Sequence, residues 1–510
     1  MNYYLGIEFG STRIKSVIIN ENFEMLSVSY YEWNNKLVDG YWSYSEQEIF
    51  EGLRLCCEKN LDTFEEKYGT IPNISHIGIS GMMHGYLVLG ENDKLLTPFR
   101  TWRNTNTVQA AKELSEKLKF NMPLRWSVSH LYQAIINNEP HVKNIKYLTT
   151  LSGYVHYKLT KSKVIGIGDA SGIFPIDSEI SNYDKTRMKA FNNLLKDKNI
   201  EFKFEDILPE VLIAGKIGGY LTEEGVLLLD SKKRIKSGIS FCPPEGDAST
   251  GMVATNSIKP NTGNVSAGTS SFVMLVLDKK LKKVYPEIDM VTTPDGNAVA
   301  MIHGNNCTTD LNGWMNLLKE TVDVFGVKNN KDFYQTLFNI SDDCDDDLGG
   351  IVSYNYNSGE PIVGLNDGRP IMAKEKENKL SIANFMKAQI YSCVAPLNFG
   401  IKIFEDEGVK VQTICGHGGF FATPKIGASA MSAALNAPIT VLETANEGGA
   451  WGIAILASFV SREEKLSDYL DNVFCKSKKI ITVADETERK RFANYMLRYN
   501  NYLSLEKVFN

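Results

Sequence analysis

The sequence lacks any stretch that could cross a membrane as a helix, because charged or polar residues interrupt every run of 18 residues. Its first ten residues, MNYYLGIEFG, contain no basic segment and include Glu8, which is not typical of a secretory signal peptide. Positive charge is also not in excess, since 55 Lys and Arg against 61 Asp and Glu give a net charge of −6. We therefore expect no nucleic-acid and no membrane partner, whereas a small anion bound by backbone N–H groups remains compatible with this balance.

Paired cysteines and the two commonest nucleotide-binding fingerprints are missing as well. The eight cysteines are scattered, without a CxxC pair or a zinc-ligand spacing. We therefore predict reduced thiols in a cytoplasmic protein, where most of them serve as small buried side chains. There is no GxxxxGKS/T sequence and no GxGxxG sequence, which argues against a P-loop NTPase and a Rossmann dehydrogenase.

The pattern of apolar residues indicates an α/β protein. The 510 residues are enough for two or three domains. Runs rich in β-branched and aromatic residues predict strands at 3–7, 14–19, 27–33 and 74–80. Apolar residues spaced by three and four predict a helix at 45–67, which Ser45 and Glu48 begin as a capping box; the spaced residues are Ile49, Leu53, Cys57, Leu61 and Phe64.

The second half repeats this order of elements. We predict strands at 264–267, 272–277, 298–303, 411–415 and 439–442, and helices at 382–407, 424–436 and 449–460. A hairpin with a turn of glycine and hydroxyl residues occurs once in each half, at 10–12 and at 268–270. This weak repeat indicates a duplicated domain. The polar connector at 256–261 divides the chain into predicted domains 1–257 and 258–510.

Two such turns are candidates for phosphate binding. Glycine and short hydroxyl residues expose consecutive N–H groups, which surround phosphate oxygens without steric obstruction. A single turn of this kind is more often an ordinary hairpin loop, but one in each half suggests a shared phosphate chain. Ser11, Thr12, Gly268 and Thr269 are the residues concerned. Glu8 precedes the first turn and is a candidate for holding Mg²⁺, directly or through water.

Two further segments suit nucleotide binding and general-base chemistry. Gly416, Gly418 and Gly419 follow a predicted strand, where glycines let a ligand approach the backbone. Asp247 follows a Pro-Pro-Glu-Gly run at the start of a helix. Its ordinary role would be a helix N-cap, and its chemical role would be to accept a proton from an attacking hydroxyl. Both roles are compatible.

A fifth group of residues suits a polyhydroxylated ligand. Met83 and His84 follow the predicted strand at 74–80, and the segment Trp102, Arg103 and Asn104 begins 18 residues after His84. An indole packs on the C–H faces of a sugar, and polar side chains bind its hydroxyls. A lone histidine is more often structural, so composition alone only slightly favours the ligand-binding interpretation.

Together these motifs resemble, in order and spacing, those of the FGGY carbohydrate kinases. The resemblance extends from residues 6–12 to residues 447–452. It implies the α/β fold of sugar kinases, actin and heat-shock ATPases, with two duplicated actin-like (ribonuclease H-like) domains and a central cleft. It also implies a phosphate-binding role for Lys15, which closes the first phosphate motif.

The other motifs take their family roles from the same resemblance. Residues 83–85 are similar to the sugar-binding stretch of xylulokinases, and Asp247 matches the catalytic base. Residues 268–270 match the second phosphate loop, and residues 416–419 match the adenosine loop.

Several stretches are closer to L-ribulokinase-type FGGY kinases, namely 98–105, 125–127, 130–134, 168–172 and 243–247. The sequence departs from the family pattern at three places. Glu8 stands where the family usually has Asp. Arg103 and Asn104 follow Trp102 where xylulokinases usually have Asn and Asp. The adenosine loop carries His417 and the bulky Phe420 and Phe421, where small or polar residues are common.

The resemblance implies an ATP- and Mg²⁺-dependent kinase that phosphorylates the terminal hydroxyl of a ketopentose, L-ribulose or D-xylulose, in pentose catabolism. Asp247 would take the hydroxyl proton, and Glu8 and Asp247 would associate with Mg²⁺. The alternatives are a kinase for another substrate of the family, such as rhamnulose, fuculose or gluconate, and a non-catalytic ATP-binding sugar sensor. The expected partners are sugar and ATP, and a homodimer is the default assembly.

Overall fold

A computed structural model describes residues 2–326, 332–365, 367–377, 379–443 and 448–508. The chain forms two compact units. Unit 1 consists of Met1–Ile258, Asp289–Val299 and Glu447–Lys476, and unit 2 of Lys259–Ile288, Ala300–Asn446 and Ser477–Asn510. Glu447, the first residue of the last family motif, lies outside the described residues.

The strands and helices up to residue 258 belong to unit 1. Its strands are β1 (Tyr3–Phe9), β2 (Arg13–Asn20), β3 (Met25–Glu32), β4 (Lys36–Val38), β5 (Tyr41–Ser43), β6 (Ile74–Gly81), β7 (Leu87–Leu89), β8 (Tyr147–Thr149), β9 (Val164–Gly166), β10 (Ile176–Asp177), β11 (Asn182–Tyr183), β12 (Glu210–Leu212), β13 (Gly219–Tyr220), β14 (Ser240–Phe241) and β15 (Glu245–Gly246). Its helices are α1 (Glu46–Tyr68), α2 (Val108–Leu118), α3 (Ser127–Ile136), α4 (Leu151–Thr160), α5 (Ile167–Ala170), α6 (Lys185–Asp197), α7 (Glu223–Leu229) and α8 (Asp247–Ala254).

The remaining elements follow the connector. The strands are β16 (Thr262–Ala267), β17 (Ser271–Val276), β18 (Ile288–Thr292), β19 (Ala298–Gly304), β20 (Ile351–Asn355), β21 (Pro370–Lys374), β22 (Thr413–His417), β23 (Ile439–Leu442) and β24 (Lys479–Thr482). The helices are α9 (Thr308–Val324), α10 (Phe333–Ile340), α11 (Ile382–Glu407), α12 (Pro424–Leu435), α13 (Gly448–Ser458), α14 (Leu466–Phe474) and α15 (Glu486–Tyr502). Helices α13 and α14 lie within unit 1.

The main sheet of unit 1 has the strand order β13-β14-β6-β1-β2-β3, and β15 also pairs with β6. Strand β6 is parallel to both β1 and β15. Glu8 and Glu245 are both in register with Ser80. Because parallel strands end at the same edge of a sheet, the segments that follow β1, β6 and β15 meet there.

The sheet of unit 2 contains the order β19-β17-β16-β22-β23-β24. Strand β16 is antiparallel to β17 and parallel to β22, and Ser266 is in register with His417. The turn after β16 and the glycine segment after β22 therefore lie at one edge of this sheet.

The structure confirms the α/β class and most predicted elements. Ser45 caps α1 in a capping box with Glu48. The five apolar residues predicted to share one face of α1 are all buried. Helix α11 has the predicted bounds, and β22 begins two residues later than predicted. The division into domains 1–257 and 258–510 stays a prediction. None of the helices in the described part of the chain has the length and apolar character needed to cross a bilayer.

Helix α13 packs closely on β1 because small residues line the contact. A Cβ at Gly6 of β1 would collide with the carbonyl oxygen of Ala450 and lie 2.8 Å from the Cβ of Ala454. A Cβ at Gly452 of α13 would collide with the carbonyl oxygen of Thr250 on α8. The helix therefore reaches the sheet only where side chains are absent.

Replacing Gly6 by alanine should destabilise unit 1 by about 1–3 kcal/mol, because the new methyl group overpacks the contact between β1 and α13. Differential scanning calorimetry should show a lower Tm. Gly313 on α9 is the matched control, since a Cβ there has no atom within 4 Å. Gly313→Ala should leave Tm unchanged or raise it. An unchanged Tm in Gly6→Ala would contradict the close packing.

Candidate active site

Three predicted site residues meet at the edge of the unit 1 sheet. Glu8 is the penultimate residue of β1, Met83 follows the end of β6, and Asp247 follows β15 directly as the first residue of α8. The backbone N–H of Met83 donates a hydrogen bond to Oδ1 of Asp247 (3.1 Å). The structure thus brings the predicted sugar segment and the predicted base together.

Asp247 has one anchored oxygen and one open oxygen. Its Oδ1 accepts from the N–H groups of Met83 and Ala248, the latter at 2.9 Å. No described residue donates a hydrogen bond to Oδ2, and the side chain is only partly buried. Burial raises the pKa of Asp247, while the N–H groups of Met83 and Ala248 oppose this shift. The arrangement orients a carboxylate whose basicity is higher than usual.

Glu8 lies between the start of α13 and Lys15. Its Oε2 accepts from the N–H of Ala450 (3.2 Å), and a Cβ at Gly449 would collide with its Oε1. Lys15 on β2 stands opposite Glu8 in the antiparallel register. Burial and then the charge of Asp247 raise the pKa of Glu8, and Lys15 opposes them. Because the charge of Asp247 raises the pKa of Glu8, a cation placed near both carboxylates would be stabilised.

Asp169 and Glu245 form a buried pair of carboxyl groups next to the segment that carries Asp247. The sequence patterns assign no role to either residue. Asp169 on α5 accepts hydrogen bonds from Thr150 (2.6 Å) and Ser152. Glu245 on β15 accepts from the N–H groups of Gly168 (3.3 Å) and Asp169 (3.0 Å). Burial raises the pKa of Asp169 to about 7 and that of Glu245 to about 8. The only sequence signal was that both residues lie in stretches similar to L-ribulokinases.

Met83 and His84 occupy a sharply turned segment after β6. His84 has φ +68° and Gly85 has φ +82°, and a Cβ at Gly85 would lie 2.6 Å from the carbonyl oxygen of Arg100. The His84 ring stacks on Trp126, with centroids 6.3 Å apart, and both Met83 and His84 are buried. This strained turn holds the side chain of Met83 against Gly246 at the end of β15 and that of His84 against Gly172.

Trp102 is held on a pinned segment next to the first turn. Its indole is 40% exposed, and its Nε1 donates to Oγ of Ser11 (3.2 Å). Asn104 fixes this segment by bonding both the N–H (2.8 Å) and the carbonyl (2.9 Å) of Trp42. Because Asn104 is buried and its amide is engaged, it serves the backbone and not a ligand in this structure.

Arg103 turns towards the β4–β5 hairpin. Its guanidinium lies 4.2 Å from the centre of the Trp42 ring and donates to Asn35 (3.3 Å). The structure shows no direct contact between Arg103 and Met83, His84 or Asp247. Its role in sugar binding stays a prediction.

The first turn, Gly10 to Thr12, has its carbonyl groups occupied. Trp33 Nε1 donates to the carbonyl of Gly10 (2.8 Å), and Tyr44 donates to that of Ser11 (2.6 Å). Among the described residues, none accepts a hydrogen bond from the N–H of Ser11 or Thr12. The turn therefore presents donors, as a phosphate-binding turn requires.

In the second turn, residues 268–270, the carbonyl groups of Gly268 and Thr269 also accept hydrogen bonds, but from residues at the start of α9. The N–H and hydroxyl groups of Thr308, the first residue of α9, donate to the carbonyl of Gly268 (3.0 and 2.8 Å). The N–H of Cys307 donates to the carbonyl of Thr269 (3.0 Å). In the described part of the chain, the N–H groups of Thr269 and Ser270 have no acceptor.

The predicted nucleotide loop follows β22 beside this turn. Gly418 has φ +103°, and a Cβ there would lie 2.5 Å from the carbonyl oxygen of Ala267. The ring of Phe421 lies against Gly416. Burial lowers the pKa of His417 to about 4, so its imidazole is neutral at physiological pH. Only glycine lets the end of β22 approach the end of β16 so closely.

A Mg²⁺ ion fits the donors at the edge of unit 1. Within the described residues there is no group of three or more His, Cys, Asp and Glu side chains that could hold a metal. A nucleotide-bound Mg²⁺ needs only one or two protein carboxylates, because phosphates and waters complete its shell. Glu8 and Asp247, whose charge raises the pKa of Glu8, supply that number.

Comparison with known proteins identifies the family. The model of the FGGY carbohydrate kinase N-terminal domain matches residues 3–235, and that of the C-terminal domain matches residues 263–461. The chain belongs to the FGGY family of carbohydrate kinases. This confirms the resemblance found in the sequence, and it makes the protein a sugar kinase by family, which implies ATP and a sugar as its substrates.

Individual FGGY relatives are distant in sequence and alike in fold. The xylulose kinase of Haemophilus influenzae is 22% identical, over 98% of this chain and 99% of that protein. The ligand-bound xylulose kinase and the gluconate kinase of Lactobacillus acidophilus each superpose with a TM-score of 0.81 and 16% identity, over 100% of both chains. These likenesses confirm the two-domain sugar kinase fold.

Replacing Gly418 by alanine should weaken nucleotide binding by about 5- to 100-fold, because a strained residue that also clashes with Ala267 costs about 1–3 kcal/mol. Isothermal titration with Mg²⁺ and a non-hydrolysable ATP analogue measures this. The control is Gly313→Ala on α9, since a Cβ at Gly313 meets no atom within 4 Å and the residue lies outside the nucleotide loop. Equal affinities in the two variants would show that the conformation at Gly418 is not required.

Proposed function

We propose that this FGGY kinase transfers the γ-phosphoryl group of ATP to the terminal hydroxyl of a ketopentose, L-ribulose or D-xylulose, to give the 5-phosphate. The observation that carries the proposal is the state of Asp247. One of its oxygens is fixed by two N–H groups, and the other accepts no hydrogen bond from a described residue at the edge where the predicted sugar segment ends.

Asp247 is the general base in this proposal. Its open Oδ2 accepts the proton of the sugar hydroxyl as that oxygen attacks the γ-phosphorus. The bonds to Met83 and Ala248 keep the carboxylate in one orientation, so little reorganisation is needed during the reaction. Burial raises the pKa of Asp247, which makes its carboxylate a stronger base.

Glu8 and Lys15 supply the charges beside the first turn. Mg²⁺, when bound with ATP, neutralises charge that develops on the phosphate oxygens. Glu8 is the protein carboxylate next to that charge, and the N–H of Ala450 fixes its Oε2. Lys15 is in register with Glu8, and its charge lowers the pKa of Glu8 more than that of Arg13 does.

The two turns hold phosphate oxygens in this proposal. Ser11 and Thr12 in unit 1, and Thr269 in unit 2, present N–H groups and hydroxyls while their carbonyls are occupied. The N–H of Gly268 donates to the carbonyl of Ser270, and the absence of a side chain at Gly268 leaves the space beside the turn open. Gly416, Gly418 and Gly419 receive the adenosine. Each turn thus works as a local anion site in a protein of negative net charge.

Met83, His84 and Trp102 form the sugar-binding side. The exposed indole of Trp102 offers an apolar face for the C–H groups of a pentulose. The named relatives are xylulose kinases, which favours D-xylulose, whereas the stretches similar to L-ribulokinases favour L-ribulose. The two ketopentoses differ in hydroxyl configuration, so the proposal includes both.

A sugar acid such as gluconate is the second candidate substrate. Arg103 follows Trp102 directly, and no carboxylate in the described part of the chain pairs with it. A guanidinium without a carboxylate partner suits the carboxylate of an aldonate. The structural likeness to a gluconate kinase agrees with this alternative.

The cellular setting is also proposed from the sequence. We place the enzyme in the cytoplasm, in pentose catabolism, with a homodimer as its default assembly. Size-exclusion chromatography with light scattering measures the assembly directly.

A kinase panel tests the substrate. L-Ribulose, D-xylulose, L-xylulose, L-rhamnulose, L-fuculose and D-gluconate are each added with MgATP, and ADP release is followed by a coupled assay. We expect the highest kcat/KM with L-ribulose or D-xylulose. Arg103→Ala serves as an internal comparison, because it should lower activity on gluconate far more than activity on a neutral ketose.

The outcomes of the panel separate the proposals. Turnover on gluconate alone would replace the ketopentose by the sugar acid. Turnover on no pentulose would contradict the ketopentose assignment and leave the family and fold intact. ADP release that no sugar increases would contradict a kinase acting on any member of the panel.

A further inference from the structure

The indole of Trp102 connects the predicted sugar side to the first phosphate turn. Trp33 and Tyr44 also donate to this turn, but both are almost fully buried and bond backbone carbonyls. Trp102 is different in two respects. It is 40% exposed, and its Nε1 reaches a side chain, Oγ of Ser11, at 3.2 Å.

The chemistry of this bond fixes the role of Ser11. An indole N–H only donates, whereas a hydroxyl has one hydrogen to donate and two lone pairs to accept with. Ser11 must therefore accept from Trp102, which leaves its O–H hydrogen for another partner. No described residue accepts that hydrogen. Ser11 is thus held as a donor, the role that a phosphate oxygen requires.

The position of the indole is built into the fold. Asn104 binds the N–H and the carbonyl of Trp42 as well as the carbonyl of Thr101 (3.0 Å). The N–H of Thr101 also donates to the carbonyl of Trp42 (3.1 Å). Three hydrogen bonds therefore pin the segment before and after Trp102 to β5, and a fourth, between Asn104 and Thr101, closes the segment on itself.

We propose that Trp102 is a positioning residue for the phosphate turn: its N–H edge orients Ser11 towards a nucleotide phosphate while its ring face remains open to the sugar. This rests on the proposed function, in which Trp102 packs against the sugar. A sugar that restrains the indole also restrains Ser11, so sugar and nucleotide strengthen each other's binding, and this linkage is reciprocal.

A double-mutant cycle tests the connection. Trp102→Phe keeps an aromatic ring and removes the N–H, and Ser11→Ala removes the hydroxyl. The affinity for Mg²⁺ with a non-hydrolysable ATP analogue is measured by isothermal titration in wild type, both single variants and the double variant. Each single variant should bind about three- to tenfold more weakly, as expected for the loss of one hydrogen bond of ordinary strength.

The decisive result is non-additivity. The double variant should bind the ATP analogue no more weakly than the single variant with the lower affinity, because both changes break the same hydrogen bond. Trp42→Phe is the matched control, since no described residue accepts from the Trp42 Nε1, and it should bind as wild type. Additive losses, or wild-type affinity in Trp102→Phe, would overturn the proposal.

The same titrations with the active sugar present show the linkage. In wild type the sugar should tighten binding of the analogue, and in Trp102→Phe this gain should be at least halved. A wild type that phosphorylates a pentulose but gives an additive cycle would refute the role of Trp102 alone. A coupled cycle without turnover on any pentulose would refute the ketopentose assignment alone.

Discussion

The parallel pairing of β6 with β1 and β15 is the constraint on which the candidate site of unit 1 depends. It brings Glu8, the segment after Gly81, and Asp247 to one edge of the sheet, although they are far apart in sequence. In this register the N–H of Met83 lies within hydrogen-bond distance of Asp247. A slip of one residue would turn the side chain of Glu8 to the opposite face.

The position of helix α13 also depends on this sheet. It lies close to β1 because Gly6 and Gly452 have no side chains, and its first turn then meets Glu8 through the N–H of Ala450. Glu8 thus receives a helix N-terminus on one side and a lysine in register on the other. Burial and the charge of Asp247 raise the pKa of Glu8, and the N–H of Ala450 and the charge of Lys15 oppose this rise.

Occupied carbonyl groups are the second recurring feature. In unit 1 the aromatic donors Trp33 and Tyr44 bind the carbonyls of the first turn, and in unit 2 the start of α9 binds those of the second. Each turn is then left with donors for an anion. This explains how an acidic chain with a net charge of −6 suits a nucleotide without a basic surface.

Local features were predictable from the sequence, and long-range ones were not. The capping box at Ser45 and the bounds of α11 follow from residue types within a few positions. The sequence did not predict that α13 belongs to unit 1. Hydrophobic periodicity indicates which face of a helix is apolar, but not which element packs against that face. The burial of Asp169 and Glu245 was missed for the same reason.

Asn104 and Trp102 show this limit within a single motif. Their residue types suggested a sugar site, but only the structure shows that Asn104 is engaged with Trp42 and that Trp102 reaches Ser11. A hydrogen bond across 91 residues leaves no pattern in one sequence. The resemblance to family motifs identified the candidate residues. The strand register explains why the N–H of Met83 and the carboxylate of Asp247 form a hydrogen bond.

The central claim is that Asp247 is the base that receives the proton of the attacking hydroxyl. The most direct measurement is the rate of ADP release by Asp247→Asn at saturating MgATP, over a titration of the sugar that the wild type turns over fastest. We predict a kcat that is lower by about 10²–10⁴-fold with a sugar KM within a few-fold of wild type. A variant that keeps near-wild-type turnover would contradict the account.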